Sequence, residues 1–186
     1  MRVIAGSKKG KVLKSPTTEK TRPTLDRVKE AVFSMLTNEI EDARILDLFS
    51  GTANLAIEAL SRGADFAHIN DIDKEALKVI YDNIRLTQFE SYVKITRKEY
   101  EKCLKGLYTE NEEEKFDIIF LDPPFNKKYE QDVLEQIVKY KVLKENGIIV
   151  LETDKRKEFN ETIDGLVLKD KRTYGRVMIR VYIWEA

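Results

Sequence analysis

An apolar run closes with "FLDPPF" at residues 120–125, and the end of that run is chemically loaded. Prolines donate no backbone hydrogen bond, so Pro123 and Pro124 cannot continue a central ladder. A carboxylate at the tip of a buried strand, Asp122, is costly to desolvate unless it has work there. The corner offers rigid acceptors in the Asp122 carboxylate and the Pro123 carbonyl, and a flat apolar face in Phe125. Such a set suits an N–H-bearing group on an aromatic base; the competing reading is a plain Pro-Pro turn.

A second group of residues lies upstream, in "DLFSGTANLA" (47–56). Asp47 closes a strand, Gly51 permits a tight turn, and Asn54 opens a helix. A dinucleotide-binding loop needs G-x-G-x-x-G to bring backbone close to a pyrophosphate. Here only Gly51 is present, with Ala53 and Ala56 in the other places, and no Gly-Lys-Ser/Thr phosphate loop follows. A nucleoside without phosphates fits better. Asp47, four residues before the glycine, can face a cationic ligand. The next strand ends "NDID" (70–73), where Asp71 is suited to accept from ribose hydroxyls and Asp73 to cap the following helix. Each acid taken singly could equally be a cap or a loop residue; together, at adjacent strand tips, they point to a nucleoside site.

The elements that must position these residues alternate. Strands are expected at 43–49, 65–71, 92–96, 116–122 and 147–153, with helices at 54–62, 73–86, 129–140 and between residue 97 and Leu107. Strand-helix alternation requires parallel pairing, because each helix returns the chain across the sheet. Residues 165–186 instead hold two β-rich runs around Tyr174-Gly175, an antiparallel hairpin appended to that sheet. Ahead of the alternating region, "RVIAGSKKGKVL" (2–13) reads as two short strands about a turn. A helix with Leu25, Val28, Val32 and Met35 on one face follows, with Thr24 placed to cap it. The expected division is an extension over 1–38 and a main domain over 39–186.

The chain has 186 residues, 42% hydrophobic and 35% charged, which suits a globular domain with a substantial core. Its apolar runs are too short to span a membrane, and no signal-peptide core opens it. One cysteine (Cys103) and one histidine (His68) make a zinc site unpromising; both are expected inside the fold, and a reducing cytoplasm is the expected location. No metal is expected. Residues 1–30 carry nine bases and three acids, so the formally neutral chain has a basic N-terminal segment. That asymmetry suggests a polyanionic partner gripped at one end.

Taken together, "RVIAGSKKGKVL", "TRPTLDRVKEAVFSML", "LDLFSGT", "IEALSRGA" and "FLDPPF" resemble the RsmD family across essentially the whole chain. Those bacterial enzymes are class I S-adenosylmethionine-dependent methyltransferases acting on guanine N2 of 16S ribosomal RNA. The resemblance implies an α/β, Rossmann-like fold. Its mainly parallel seven-stranded sheet would have helices on both faces and a C-terminal antiparallel hairpin strand, with a small N-terminal hairpin/helix extension. It implies Asp122, Pro123 and Phe125 as catalytic residues. Asp47, Gly51, Asp71, Glu99 and Thr24 would contact S-adenosylmethionine, and Arg2, Lys8, Lys9, Lys11 and Arg22 the RNA. The family's F-A-G-[ST]-G-A-L-G is departed from at Ala53, Asn54 and Ala56.

The Asp-Pro-Pro-Phe corner alone serves guanine N2, adenine N6, cytosine N4 or a protein amide. Little chain lies outside the sheet to read a DNA major groove. A structured RNA in an assembling small ribosomal subunit, bound by a monomer, is therefore the expected substrate. A DNA adenine-N6 methyltransferase and a non-catalytic RNA-binding assembly protein are the alternatives.

Overall fold

The structure, a computed structural model, describes residues 1–15, 23–124 and 129–185, with residues 23–25 described by their backbone. In chain order the elements are α1 (Pro23–Met35), β1 (Arg44–Asp47), α2 (Asn54–Ser61), β2 (Phe66–Asn70), α3 (Lys74–Thr87), β3 (Val93–Thr96), α4 (Tyr100–Lys105), β4 (Phe116–Leu121), α5 (Glu130–Lys139), β5 (Leu143–Asp154), β6 (Leu166–Tyr174) and β7 (Val177–Trp184). They build a seven-stranded sheet in the order β3-β2-β1-β4-β5-β7-β6. The first five strands pair in parallel, and β7 runs antiparallel to both of its neighbours. This is the α/β fold expected from the alternation of elements.

Both faces of the sheet are covered, which is why its central strands read as near-continuous apolar runs. In β4, Ile118 and Phe120 join one core with Val32 of α1, Ile57 of α2 and Ile80 of α3. Ile119 and Leu121 join the other, with Leu104 of α4 and Val133 and Ile137 of α5. His68 and Cys103 are buried, as expected, and His68 Nε2 meets Thr96 Oγ1 at 2.9 Å. Among the described residues no helix is long and apolar enough to cross a membrane.

Several boundaries differ from expectation. β1 stops at Asp47 and β4 at Leu121, so Phe49 and Asp122 lie just past the ladder. Helix α1 begins at Pro23, a residue suited to a first helical position, so Thr24 lies inside the first turn and does not cap it. β5 begins at Leu143, not Gly147, because Asn146 takes a left-handed φ of 59° that lets the strand pass through an irregular step.

The N-terminal hairpin is reduced to a single bridge, Arg2 with Val12, plus a few flanking hydrogen bonds. Its missing ladder bonds go to Glu58, a buried acid in the middle of α2. Ile4 N and Ala5 N donate to the two Glu58 oxygens at 2.8 and 3.0 Å. Lys29 of α1 completes the knot, 3.0 Å from Glu58, while also donating to the Arg2 carbonyl and to Asn54 Oδ1. Burial pulls the Lys29 pKa down. On Glu58 burial acts upward but is outweighed by the Ile4 N–H, Lys29 and Arg62, so its pKa falls. Gly6 then crosses so near α2 that a Cβ there would lie 1.6 Å from the Ser61 carbonyl oxygen, and its φ of 80° also requires glycine. Val3 and Leu13 bury in the α1–α3 core, so the hairpin is clamped to the body.

Candidate active site

The tips of β3, β2, β1, β4 and β5 face one end of the sheet, where ligands bind in open α/β folds. After β1 the chain turns through Gly51 (φ 57°) and Ala53 (φ 62°) into α2. Ala53 has the left-handed backbone that glycine adopts freely, so the loop keeps its tight shape despite the substitution. Asp47 lies beneath this loop, 2% exposed. Ser50 Oγ donates to it at 2.8 Å. Burial pushes its pKa up to about 7, with Ser50 and the Ala56 N–H acting the other way.

Asp71, just past β2, accepts from Gly51 N at 2.7 Å and from Asp73 N at 2.8 Å. The carboxylate is therefore fixed at the loop's edge, and each oxygen retains a lone pair for a hydroxyl. A Cβ built on Gly51 would meet nothing within 4 Å, so the turn is open on its outer side. Asp73 caps α3 as expected, accepting from Glu75 N. Glu99 stands at the N-cap position of α4 without a capping hydrogen bond, exposed and paired with Lys102 at 2.9 Å.

Asn70 has no counterpart among the expected site residues. Its amide donates to the Leu48 and Lys98 carbonyls and accepts from Thr96 Oγ1 and Lys98 N, tying together the chain beyond three strand tips. The available signal was a polar residue at the end of the apolar run "FAHIN". Phe49, Tyr100 and Tyr129 also cluster unannounced, with ring centroids 5.0–6.2 Å apart, on the α4–α5 side. Tyr100 donates to Asp132 at 2.5 Å; burial, then that bond, raises its pKa.

Beyond β4, Asp122 is exposed, Pro123 buried and Pro124 exposed. β4 is the direct neighbour of β1, so the Asp122-Pro123 corner and the Gly51 turn occupy adjacent tips. Phe125, Arg22 and the Thr24 side chain fall outside the described residues. Arg2, Lys9 and Lys11 are exposed on the hairpin. Lys8 packs its ammonium 5.5 Å from the Phe89 ring centroid and bonds Gln88. The hairpin's open end lies by Thr52, and its turn lies by Ser61 at the far end of α2.

Residues 1–183 match the family model described as "Conserved hypothetical protein 95". "Putative rRNA methyltransferase YlbH" of Bacillus subtilis is 38% identical over 182 residues, covering 98% of both chains. The chain belongs to this family, the RsmD/YlbH methyltransferases. "Ribosomal RNA small subunit methyltransferase D" of Haemophilus influenzae is 32% identical, with 98% of this chain and 93% of that one covered. Among solved structures, "Putative methyltransferase yhhF from Escherichia coli" superposes with a TM-score of 0.87 at 26% identity, covering 100% and 98% of the two chains. "SMU.776, a putative methyltransferase complexed with SAH" shares the fold at 15% identity and a TM-score of 0.69, over 88% of this chain and 50% of that one. RsmD/YlbH membership agrees with the family resemblance carried by the motifs.

Proposed function

We propose that the protein transfers a methyl group from S-adenosylmethionine to the exocyclic N2 amino group of a guanine in 16S ribosomal RNA, within an assembling small subunit. The observation that carries this is the Asp122-Pro123 corner one strand from the open Gly51 turn, in a chain whose relatives include small-subunit rRNA methyltransferases. The residues present fit such a cofactor. Asp71 would hold the ribose hydroxyls, Gly51 would let the ligand approach the backbone, and the Asp47 carboxylate would favour its cationic portion. Glu99 would lie near its adenine, and Thr24 would border the cofactor and the RNA. Bound there, S-adenosylmethionine supplies an electrophilic methyl group on a sulfonium.

The protein's own task is to make a poor nucleophile attack. The lone pair of an aromatic amine is delocalised into its ring. Asp122 and the Pro123 carbonyl would accept its two N–H groups, favouring a pyramidal nitrogen whose lone pair faces the methyl. The nitrogen–methyl bond forms as the sulfur–methyl bond breaks, and the proton shed afterwards passes to Asp122 or to solvent. Because proline fixes the corner, these acceptors need not reorganise as charge develops. Phe125 would stack the base drawn out of its helix.

Arg2, Lys8, Lys9, Lys11 and Arg22 would hold the RNA backbone. The hairpin lies along α2, whose eight residues extend about 12 Å. Basic side chains thus lead away from the Gly51 turn along a path that a phosphate chain can follow. Neutralising Lys8, Lys9 and Lys11 together should lower the slope of log affinity against log salt by about 2–3. An unchanged slope would remove the hairpin from the RNA interface.

The test of the reaction is transfer of tritiated methyl to undermethylated small subunits and to duplex DNA, followed by nucleoside mass spectrometry. N2-methylguanosine in the subunit RNA alone is expected. Label in DNA adenine would replace this reading with the DNA alternative, and absence of cofactor binding by calorimetry would favour the non-catalytic one.

A further inference from the structure

We infer that Glu152 determines base specificity at this site: one strand over from Asp122, it is placed to accept the N1–H of the base whose amino group Asp122 holds. The inference rests on the amino-methylation proposed above and adds to it the choice of guanine over other aminated bases.

The placement follows from strand register. β4 and β5 pair in parallel with Phe120 opposite Val150 and Leu121 opposite Leu151. Asp122, the first residue past β4, therefore leaves the ladder next to Glu152 of β5, the strands being about 4.8 Å apart. Phe120 and Val150 both enter the α1–α3 core, and within β5 Glu152, two residues past Val150 and opposite Ile179 of that same core, falls on the same side of the sheet. Asp122 and Glu152 therefore stand at adjacent strand tips.

The end of β5 marks Glu152 out chemically. Thr153 Oγ1 accepts from Arg180 Nη1 at 2.6 Å, and the Asp154 carboxylate is held by Arg156 and Arg176. Glu152 has no such hydrogen bond or ion pair among the described residues, although it is half-buried and directly follows the apolar run 148–151. Burial raises its pKa to about 7. A half-buried acceptor without a donor of its own, beside a substrate-gripping corner, is one whose donor arrives with the ligand.

The chemistry selects the base. In guanine the methylated amine is flanked by N1–H, a donor, on its Watson–Crick side and by N3 on the other. In adenine the amine is flanked by N1 and in cytosine by N3, both lone-pair acceptors. An ionised Glu152 accepts from guanine and repels the other two, and the guanine N1–H in turn stabilises its ionised form. A site built to pair a buried polar group discriminates strongly against a base that leaves it unpaired.

The test uses small-subunit RNA in which the methylated guanine, located by mass spectrometry, is replaced by 2-aminopurine. That base keeps the amine but carries a lone pair at N1. The wild-type protein should prefer guanine by at least about 100-fold in kcat/KM. Glu152→Gln, whose amide can donate to that lone pair, should narrow the ratio at least tenfold while calorimetric cofactor affinity stays unchanged. Glu152→Asp, which keeps the acceptor, should retain a guanine preference even if slower. Equal ratios in the wild type and Glu152→Gln would overturn the inference, as would an Asp variant that loses the preference while folded. A wild-type protein that methylates no ribosomal RNA would overturn the parent reaction and this inference with it, and that outcome is distinct from equal ratios.

Discussion

The β1–β2 tips and the β4–β5 tips hold carboxylates in different ways. At the first, Asp71 is bonded to two backbone N–H groups and Asp47 to Ser50 and the Ala56 N–H, so the acids are fixed before any ligand arrives. At the second, Asp122 is exposed on a proline corner, and Glu152 has no donor among the described residues. The lesson is one of division of labour. A cofactor of constant shape can be met by pre-bonded acids. On the reaction proposed above, the base would be met by the proline corner and by Glu152.

The largest expected effect falls on the second half. Asp122→Ala should slow methyl transfer by at least about 100-fold, since a preorganised transition-state contact is lost. Calorimetry should show nearly unchanged S-adenosylmethionine affinity; near-normal turnover would dissolve the distinction between the halves. Asp71→Ala should do the reverse, weakening cofactor binding by about tenfold or more as a charge-assisted hydrogen bond and the loop anchor disappear. Retention of wild-type affinity would show that the ribose lies elsewhere.

A smaller effect is expected in pH-dependent stability. Glu152 has its pKa raised by burial from 4.5 to about 7. The native state therefore keeps a proton that the unfolded chain has already lost, and this contribution to stability declines as pH rises from about 4.5 to 7. The midpoint difference between Glu152→Gln and wild type should grow in the variant's favour across that window and then level off. A difference that stays constant with pH would mean that the carboxylate is as well solvated folded as unfolded. The smallest effect is in the turn. Ala53→Gly relieves a left-handed alanine, adding up to about 1 kcal/mol in chemical denaturation. A loss would show that the buried Ala53 methyl outweighs the strain.

The sheet was legible because covered parallel strands leave long apolar runs, and because Asp73 and the Tyr174-Gly175 turn are local signals. The Asp47, Gly51 and Asp71 tips were legible for a related reason: polar residues interrupted those runs at the same end of successive strands. Glu58 was not. An acid inside "NLAIEALS" has no local meaning, and its partners Ile4, Ala5 and Lys29 are distant in sequence. Nor was the shape at Ala53, since alanine does not announce a left-handed backbone; the surrounding fold imposes it. Asn70 and Glu152 carried the same mark as Asp47, a polar group at the end of an apolar run, but their surroundings emerge only from neighbouring strands.

The most direct measurement is a crystal structure of the protein with S-adenosylhomocysteine. The account requires the ribose hydroxyls on Asp71 and the sulfur turned towards the Asp122-Pro123 corner, leaving room for an amine about 3–3.5 Å from the methyl it would receive. A ligand seated with its sulfur pointing away from that corner, beyond reach of any base held by Asp122, would contradict it.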